Sequence, residues 1–358
     1  MEGWWFSQSA RAGGPLQPIE DWLLCSSPMS KGNAHSLAPG VFSENQIRST
    51  MIANLTRDRA SFMGADDNRL DADVLGDNGP PVLLLHGGGQ TRHAWRSTAQ
   101  KLASAGYTAY ALDQRGHGTS EWVANGAYKF SDFSADVKLI ATELTRRSGA
   151  RPIVVGASLG GIAALLAEGE PKRANATHRF SALVLVDITP RVDMTGVNKI
   201  LGFMRAHAKE GFASVADAAQ IVAEYLPHRP RPKSNEGLKK NLRRSPDGRW
   251  RWHWDPRFLD GPRAANANRH QLEGALQEAA RRIEIPVLLI RGASSELVKE
   301  SHVQEFLKLV PHAEYVNVGN ARHMVAGDRN DRFSAAVLSF IGRLSADKAS
   351  PSTRKKAG

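Results

Sequence analysis

The most definite chemical signature in the chain is Gly156-Ala157-Ser158-Leu159-Gly160, a G-x-S-x-G pattern. A strand-like apolar run, Pro152–Val155, leads into it, and a helical stretch, Leu159–Gly169, leads out. A strand that passes at once into a helix needs a very tight turn, which brings the residues two positions either side of the serine together. Glycine at 156 and 160 removes the side chains that would collide. The hydroxyl then stands clear of the strand end, and the first amides of the helix face the same point and favour negative charge. A plain turn holding a small serine is the simpler alternative. The strand before and helix after are the context that makes Ser158 a candidate nucleophile.

Three further segments carry groups that a nucleophilic serine needs. Val82-Leu83-Leu84-Leu85-His86-Gly87-Gly88-Gly89 ends a strand in bare backbone, where an N–H can approach a substrate oxygen closely. The amides of Gly88 and Leu159 are the candidate oxyanion donors. The loop lacks both G-x-G-x-x-G and the G-K-[ST] ending, so a phosphate cradle is disfavoured. His323 follows the last strand-like run, in Asn320-Ala321-Arg322-His323-Met324, and is the candidate general base, since imidazole titrates near neutrality. A carboxylate must orient it. Glu296, in the loop after Pro286–Ile290, is the first choice, and Asp187, ending the Ala182–Val186 run, is the alternative. His93, Trp252, Trp254 and Phe258 are candidate substrate contacts, with the tryptophans equally able to form a core of their own. Asp113 to Gly118 end a strand in a sharp turn and read as structural.

Positioning these groups requires a layered α/β domain. Short runs at Pro81–Leu85, Thr108–Leu112, Pro152–Val155, Ser181–Val186, Pro286–Ile290 and Glu314–Val318 carry apolar residues on both faces, as buried parallel strands do. Helical stretches Thr91–Ala105, Ser131–Arg147, Lys299–Val310 and Asp331–Ser345 alternate with them, so helices cover both sides of the sheet. A hairpin over residues 60–75 precedes them. From Pro190 to Ile283 no strand-like run is visible, only helical stripes and a Pro/Arg/Trp-rich segment, far more than an ordinary connection. The reading is a core of residues 57–189 and 285–346, a helical cap over 190–284, a mobile extension over 1–56 and a basic flexible tail over 347–358.

Composition narrows the class. The 358 residues carry a formal charge of 47 − 36 = +11, with 23% charged and 41% hydrophobic residues, a globular balance. The basic residues are scattered, apart from 229–251 and the tail, and no zinc-finger spacing or RNP-like motif occurs, so no specific nucleic-acid partner is expected. The single cysteine, Cys25, excludes an internal disulfide and a metal site built on several cysteines of this chain. No apolar run approaches the roughly 20 residues of a membrane span, and no secretory signal opens the chain, so a cytoplasmic protein with no membrane partner is expected.

Taken together, the strand with His86-Gly87, Trp95, Asp113-Gln114-Arg115-Gly116-His117-Gly118, Gly156-Ala157-Ser158-Leu159-Gly160, Arg291-Gly292 and His323 resemble the α/β-hydrolase superfamily over residues 60–344. The overall pattern is most similar to capped esterases, lactonases, epoxide hydrolases and haloperoxidase-like members. The resemblance implies an eight-stranded, mostly parallel sheet, a cap after the sixth strand, and the order nucleophile, acid, histidine: Ser158, Glu296, His323. Relatives usually carry Asp where Glu296 stands and glycine where Arg322 stands. Epoxide hydrolases and dehalogenases of this type use Asp as nucleophile, and position 158 is Ser. A serine alkyl ether would resist hydrolysis whereas an acyl ester does not, so the expected reaction is hydrolysis of a small carboxylic ester or lactone through an acyl-enzyme. No metal or organic cofactor is required. Thioester, C–C bond or perhydrolase chemistry would use the same groups, and a ligand receptor on the same fold is the alternative outside enzymes.

Overall fold

A computed structural model describes residues 57–171, 177–265 and 269–349. The expected extension over 1–56, with Cys25, and the tail beyond Ala349 lie outside the described residues. The eight sheet strands are β1 (Arg57–Met63), β2 (Arg69–Leu75), β3 (Pro81–Leu85), β4 (Thr108–Leu112), β5 (Ile153–Ala157), β6 (Ala182–Val186), and, after an intervening hairpin of β7 (Leu242–Arg244) and β8 (Trp250–Trp252), β9 (Val287–Gly292) and β10 (Glu314–Val318). They lie in the order β1-β2-β4-β3-β5-β6-β9-β10. β1 and β2 pair antiparallel, as do β2 and β4, and every pairing from β4 across to β10 is parallel.

The alternation of side chains along a strand explains why these runs are apolar on both faces. Leu83, Leu85, Val154, Leu183 and Leu185 point into one core, and Val82, Leu84, Ile153, Val155, Val184 and Val186 into the other. The 3₁₀ turn Arg92–Trp95 leads into α1 (Arg96–Ser104), followed by α2 (Phe130–Ser148) and α3 (Leu159–Glu168). Between β6 and β9 come α4 (Met194–Ala206), α5 (Val215–Tyr225), α6 (Glu236–Lys239), α7 (Arg257–Asp260) and α8 (Arg269–Arg281). The chain closes with α9 (Glu300–Leu309), α10 (Val325–Asp328) and α11 (Asn330–Ala349). Residues of α2, α3, α8 and α9 cover the first core, and residues of α1 and α11 the second. Among the described residues no helix is long and apolar enough to cross a membrane.

The insertion between β6 and β9 differs from its sequence reading in two ways. It contains the β7–β8 hairpin, registered Leu242 to Trp252 and Arg244 to Trp250. Strands of three residues, Leu-Arg-Arg and Trp-Arg-Trp, carry no apolar run to betray them. Its last helix, α8, packs with the core: a side chain on Gly169, at the end of α3, would lie 2.3–2.6 Å from the backbone of Ala279. The last helix of the expected cap therefore belongs to the layer that covers the sheet, with Leu276, Ala279 and Ala280 in the first core.

Candidate active site

Parallel strands bring all their C-terminal ends to one edge, and the candidate residues sit along it. Ser158 follows β5 directly and opens α3 with φ +45° and ψ −111°. A non-glycine residue at positive φ is uncommon and costs about 1–3 kcal/mol, so such residues persist only where the surroundings hold them. Here the two glycines of the motif permit it. A Cβ on Gly156 would lie 2.6 Å from backbone atoms of Gly160 and Gly161, and one on Gly160 would lie 2.5 Å from Leu85. The Ser158 amide donates to the Val186 carbonyl at 3.2 Å, which ties the turn to the end of β6.

The next residue on β6 is Asp187, also at positive φ (+50°) and fully buried. Its Oδ2 lies 2.7 Å from His323 Nδ1. The same oxygen accepts from Ser295 Oγ at 2.6 Å, and Oδ1 accepts from the Gly292 amide at 3.0 Å. Three donors fix this carboxylate, and its partner imidazole is then the Nδ1–H tautomer, with Nε2 turned outward. Among the described residues neither Ser158 Oγ nor His323 Nε2 makes a hydrogen bond to the protein.

Glu296 does not occupy the position expected from its loop. Its carboxylate takes the backbone N–H of His323 at 3.4 Å, and the imidazole goes to Asp187. The reason is local: it is the neighbouring Ser295 whose side chain turns toward β6, and Glu296 lies on the side facing the insertion. There burial, and next the Glu296 charge, push the Tyr225 hydroxyl up to about 12. The alternative acid, Asp187, is the one the structure sets against His323.

The glycine loop lies beside the serine. A Cβ on Gly87 would be 3.5 Å from that of Ser158. The Gly87 amide donates to Gln90 Oε1 at 3.0 Å and the Gly89 amide to His117 Nε2 at 3.1 Å. Among the described residues, the amides of Gly88 and Leu159 have no protein acceptor. The loop is held from below by the strand-end sequence after β4. His86 Nε2 accepts from the Gln114 amide at 3.1 Å, and Gln114 Nε2 donates to the His86 carbonyl at 2.6 Å. Arg115, fully buried, reaches Asp136 through two bonds of 2.5 and 2.6 Å. Asp113 accepts from the Arg92 amide at 2.6 Å and pairs with its guanidinium. His117 as the support of Gly89 is a role that sequence reasoning assigned only to the turn as a whole.

From above, the insertion closes on the same loop. Trp254 pairs with His117 in a single antiparallel bridge, and the Gly118 amide donates to the His253 carbonyl at 2.7 Å. A side chain on Gly88 would meet Phe258 at 3.3 Å, and one on Gly89 would meet Met204 at 2.8 Å. Trp254 and Phe258 thus sit over the glycine loop, joined by Met204, which sequence reasoning missed. Trp252 does not: it packs edge-on to Phe212 at 5.0 Å, inside the insertion. His93 is turned toward Asp73, 3.9 Å from its carboxylate. Burial, and next the Arg92 charge, pull its pKa below the ordinary value. The structure therefore groups His93 with the Arg92 ion pairs and not with Phe258 and Trp254.

His86 and His117 are both pulled down, to about 4 and about 3, chiefly by burial, and the fold holds them neutral. In the unfolded chain each titrates near 6.5. Above that value neither state binds the proton and the full contribution is present. As pH falls below 6.5 the unfolded chain binds protons that the fold refuses, so stability declines, by up to about 1.4 kcal/mol per pH unit for each group. Urea unfolding between pH 7.5 and 5 should show this slope, and His117→Gln should make it shallower. An unchanged slope in the variant would count against a neutral buried His117.

An open, mostly parallel sheet wrapped by helices, with a strained serine between strand and helix and an Asp–His pair one strand away, defines a hydrolase scaffold. A family model described as alpha/beta hydrolase fold matches residues 80–329, and the chain belongs to that family. It is 30% identical to Esterase Rv0045c of Mycobacterium tuberculosis over 71% of this chain and 80% of that protein. It is 26% identical to the 3-hydroxybutyrate-oligomer hydrolase of Cupriavidus necator over 69% of this chain and 84% of that one. In structure it resembles E-2-(acetamidomethylene)succinate hydrolase, with a TM-score of 0.68 and 22% identity, covering 80% of this chain and all of that one. The protein is an enzyme of the α/β-hydrolase type with esterase-named relatives.

Proposed function

We propose that the protein hydrolyses a small carboxylic ester or lactone through an acyl-enzyme on Ser158. The observation that carries this reading is the 2.7 Å contact of Asp187 with His323, at the strand end adjoining the Ser158 turn. His323 Nε2 takes the proton of Ser158 Oγ as the oxygen attacks the carbonyl carbon. Charge on the carbonyl oxygen is met by the amides of Gly88 and Leu159, and each such donor typically contributes about 2.7–4 kcal/mol to lowering the barrier. The tetrahedral intermediate collapses, and His323 gives its proton to the leaving alkoxide. Water then loses a proton to His323 and attacks the acyl carbon. The carboxylic acid leaves and Ser158 regains its proton. Asp187 stays ionised and holds the imidazolium that forms in each half.

The insertion acts as a cap in this reading. Met204, Trp254 and Phe258 wall the space next to the Gly88 amide, which favours a short acyl group there. The esterase name of the mycobacterial relative agrees with ester chemistry. Aryl esters from acetate to decanoate should be turned over with kcat/KM falling at least about tenfold between the shortest and longest, as a filled pocket discriminates by about 1–3 kcal/mol. A preference for the longest chains would contradict the short pocket. No turnover of any ester, thioester or lactone would contradict the proposed activity itself.

A further inference from the structure

The loop carrying His323 is gripped on both sides of the histidine by two residues that take no part in the reaction. Asp328, at the end of α10, accepts the Arg322 amide on Oδ2 at 2.9 Å. Its other oxygen, Oδ1, accepts from Arg229 Nε at 2.6 Å. Arg229 also donates from Nη2 to the Met324 carbonyl at 3.4 Å. The residues immediately before and after His323 are thus both tied to the Arg229–Asp328 pair. Asp328 is nearly buried, with 5% of its side chain exposed against 26% for Arg229. A pair this enclosed is screened far less than a surface ion pair.

Arg229 belongs to the insertion, and Asp328 to the core. Arg229 stands in Leu226-Pro227-His228-Arg229-Pro230-Arg231-Pro232, and its amide closes a turn onto the Leu226 carbonyl at 3.0 Å. Prolines on both sides limit the backbone freedom of that turn, so the guanidinium is held out at small entropic cost. On its opposite side the histidine loop rests on β9, where a side chain on Gly292 would lie 2.3 Å from the Arg322 carbonyl. The loop is therefore pressed between a core strand and an arm of the insertion.

We propose that Arg229 and Asp328 are positioning residues, a latch through which the insertion sets the placement of His323. The inference rests on the reading of His323 as general base. Placement matters steeply at such a group, since a displacement of about 1 Å can cost on the order of a hundredfold in rate. The insertion then has two functions: it walls the acyl space through Met204 and Phe258, and it holds the base through Arg229.

The test compares Arg229→Met, Arg229→Lys and Asp328→Asn with a control, Arg191→Met. Arg191 joins the insertion to Glu305 of α9 at 2.9 Å, away from the histidine loop. With a short-chain aryl ester, Arg229→Met should lower kcat about tenfold or more with KM within about threefold. Arg229→Lys should recover at least a third of the loss, Asp328→Asn should fall with Arg229→Met, and Arg191→Met should stay within about twofold of wild type. A fall in Arg229→Met no larger than in Arg191→Met, or a change in KM alone, would overturn the latch. Amide hydrogen exchange over residues 321–328 supplies a readout that needs no substrate and no assumption about the reaction. It should accelerate about tenfold in Arg229→Met and remain at the wild-type rate in Arg191→Met. Unchanged exchange overturns the latch whatever the substrate. Accelerated exchange in a protein that turns over no ester supports the latch while removing the proposed reaction. Should Arg229→Met fail to fold, Asp328→Asn carries the same comparison, because its side-chain oxygen can still accept the Arg322 amide while the charge facing Arg229 is lost.

Discussion

Ser158→Ala is expected to lower kcat/KM for a short-chain aryl ester by about 10⁴-fold or more, leaving only what the oxyanion donors and binding supply. The fold should survive, because alanine keeps the Cβ and removes only the hydroxyl. Ser158→Gly should be equally inactive yet more stable than wild type. The φ of +45° at this position is strained for any residue with a Cβ, and glycine adopts it freely. The expected gain is about 1 kcal/mol, read as a rise in the urea midpoint at unchanged m-value. Loss of activity together with gain of stability at one position is the signature of a backbone held in tension to present a nucleophile. Ser158→Gly no more stable than Ser158→Ala would mean that the turn stores no strain.

The second large effect separates the two carboxylates. Asp187→Asn should reduce kcat by roughly 10⁴-fold, because the amide no longer holds the Nδ1–H tautomer or the imidazolium. Glu296→Gln should stay within about tenfold of wild type, since a glutamine oxygen can still accept the His323 backbone N–H that Glu296 takes at 3.4 Å. Both are measured as kcat on the same ester at the same pH. A Glu296→Gln defect as deep as that of Asp187→Asn would move the acid back to the loop after β9 and contradict the arrangement drawn from His323 Nδ1.

The choice between these acids shows where sequence reasoning reaches its limit. Strands such as Pro81–Leu85 and Glu314–Val318 were legible to the residue, because strand-length runs between helical stretches stand out from their surroundings. The turn at Ser158 was legible because only glycine fits at 156 and 160. The acid was not. Asp187 and Glu296 both follow strands that end at the same sheet edge, and what decides between them is the direction of a side chain and the reach of Ser295 Oγ. Neither leaves a trace in residue type. The insertion was legible as an interruption of the strand spacing, but its interior was not. The hairpin at Leu242–Trp252 is too short and too basic to show a period. Helix α8 has the stripe of any amphipathic helix, and nothing in that stripe says which layer it covers. Met204 escaped notice because its importance lies in facing Gly89, a contact between residues far apart in the chain.

The central claim is that the hydroxyl on the strained turn after β5 is the reacting nucleophile. It is tested most directly by treating the wild-type protein with a fluorophosphonate and locating the adduct by intact mass and peptide mapping. One adduct per chain is expected, on the peptide containing Ser158, with loss of ester turnover in step with labelling and no adduct in Ser158→Ala. An adduct on any other residue, or full turnover by a protein labelled at Ser158, would contradict the account.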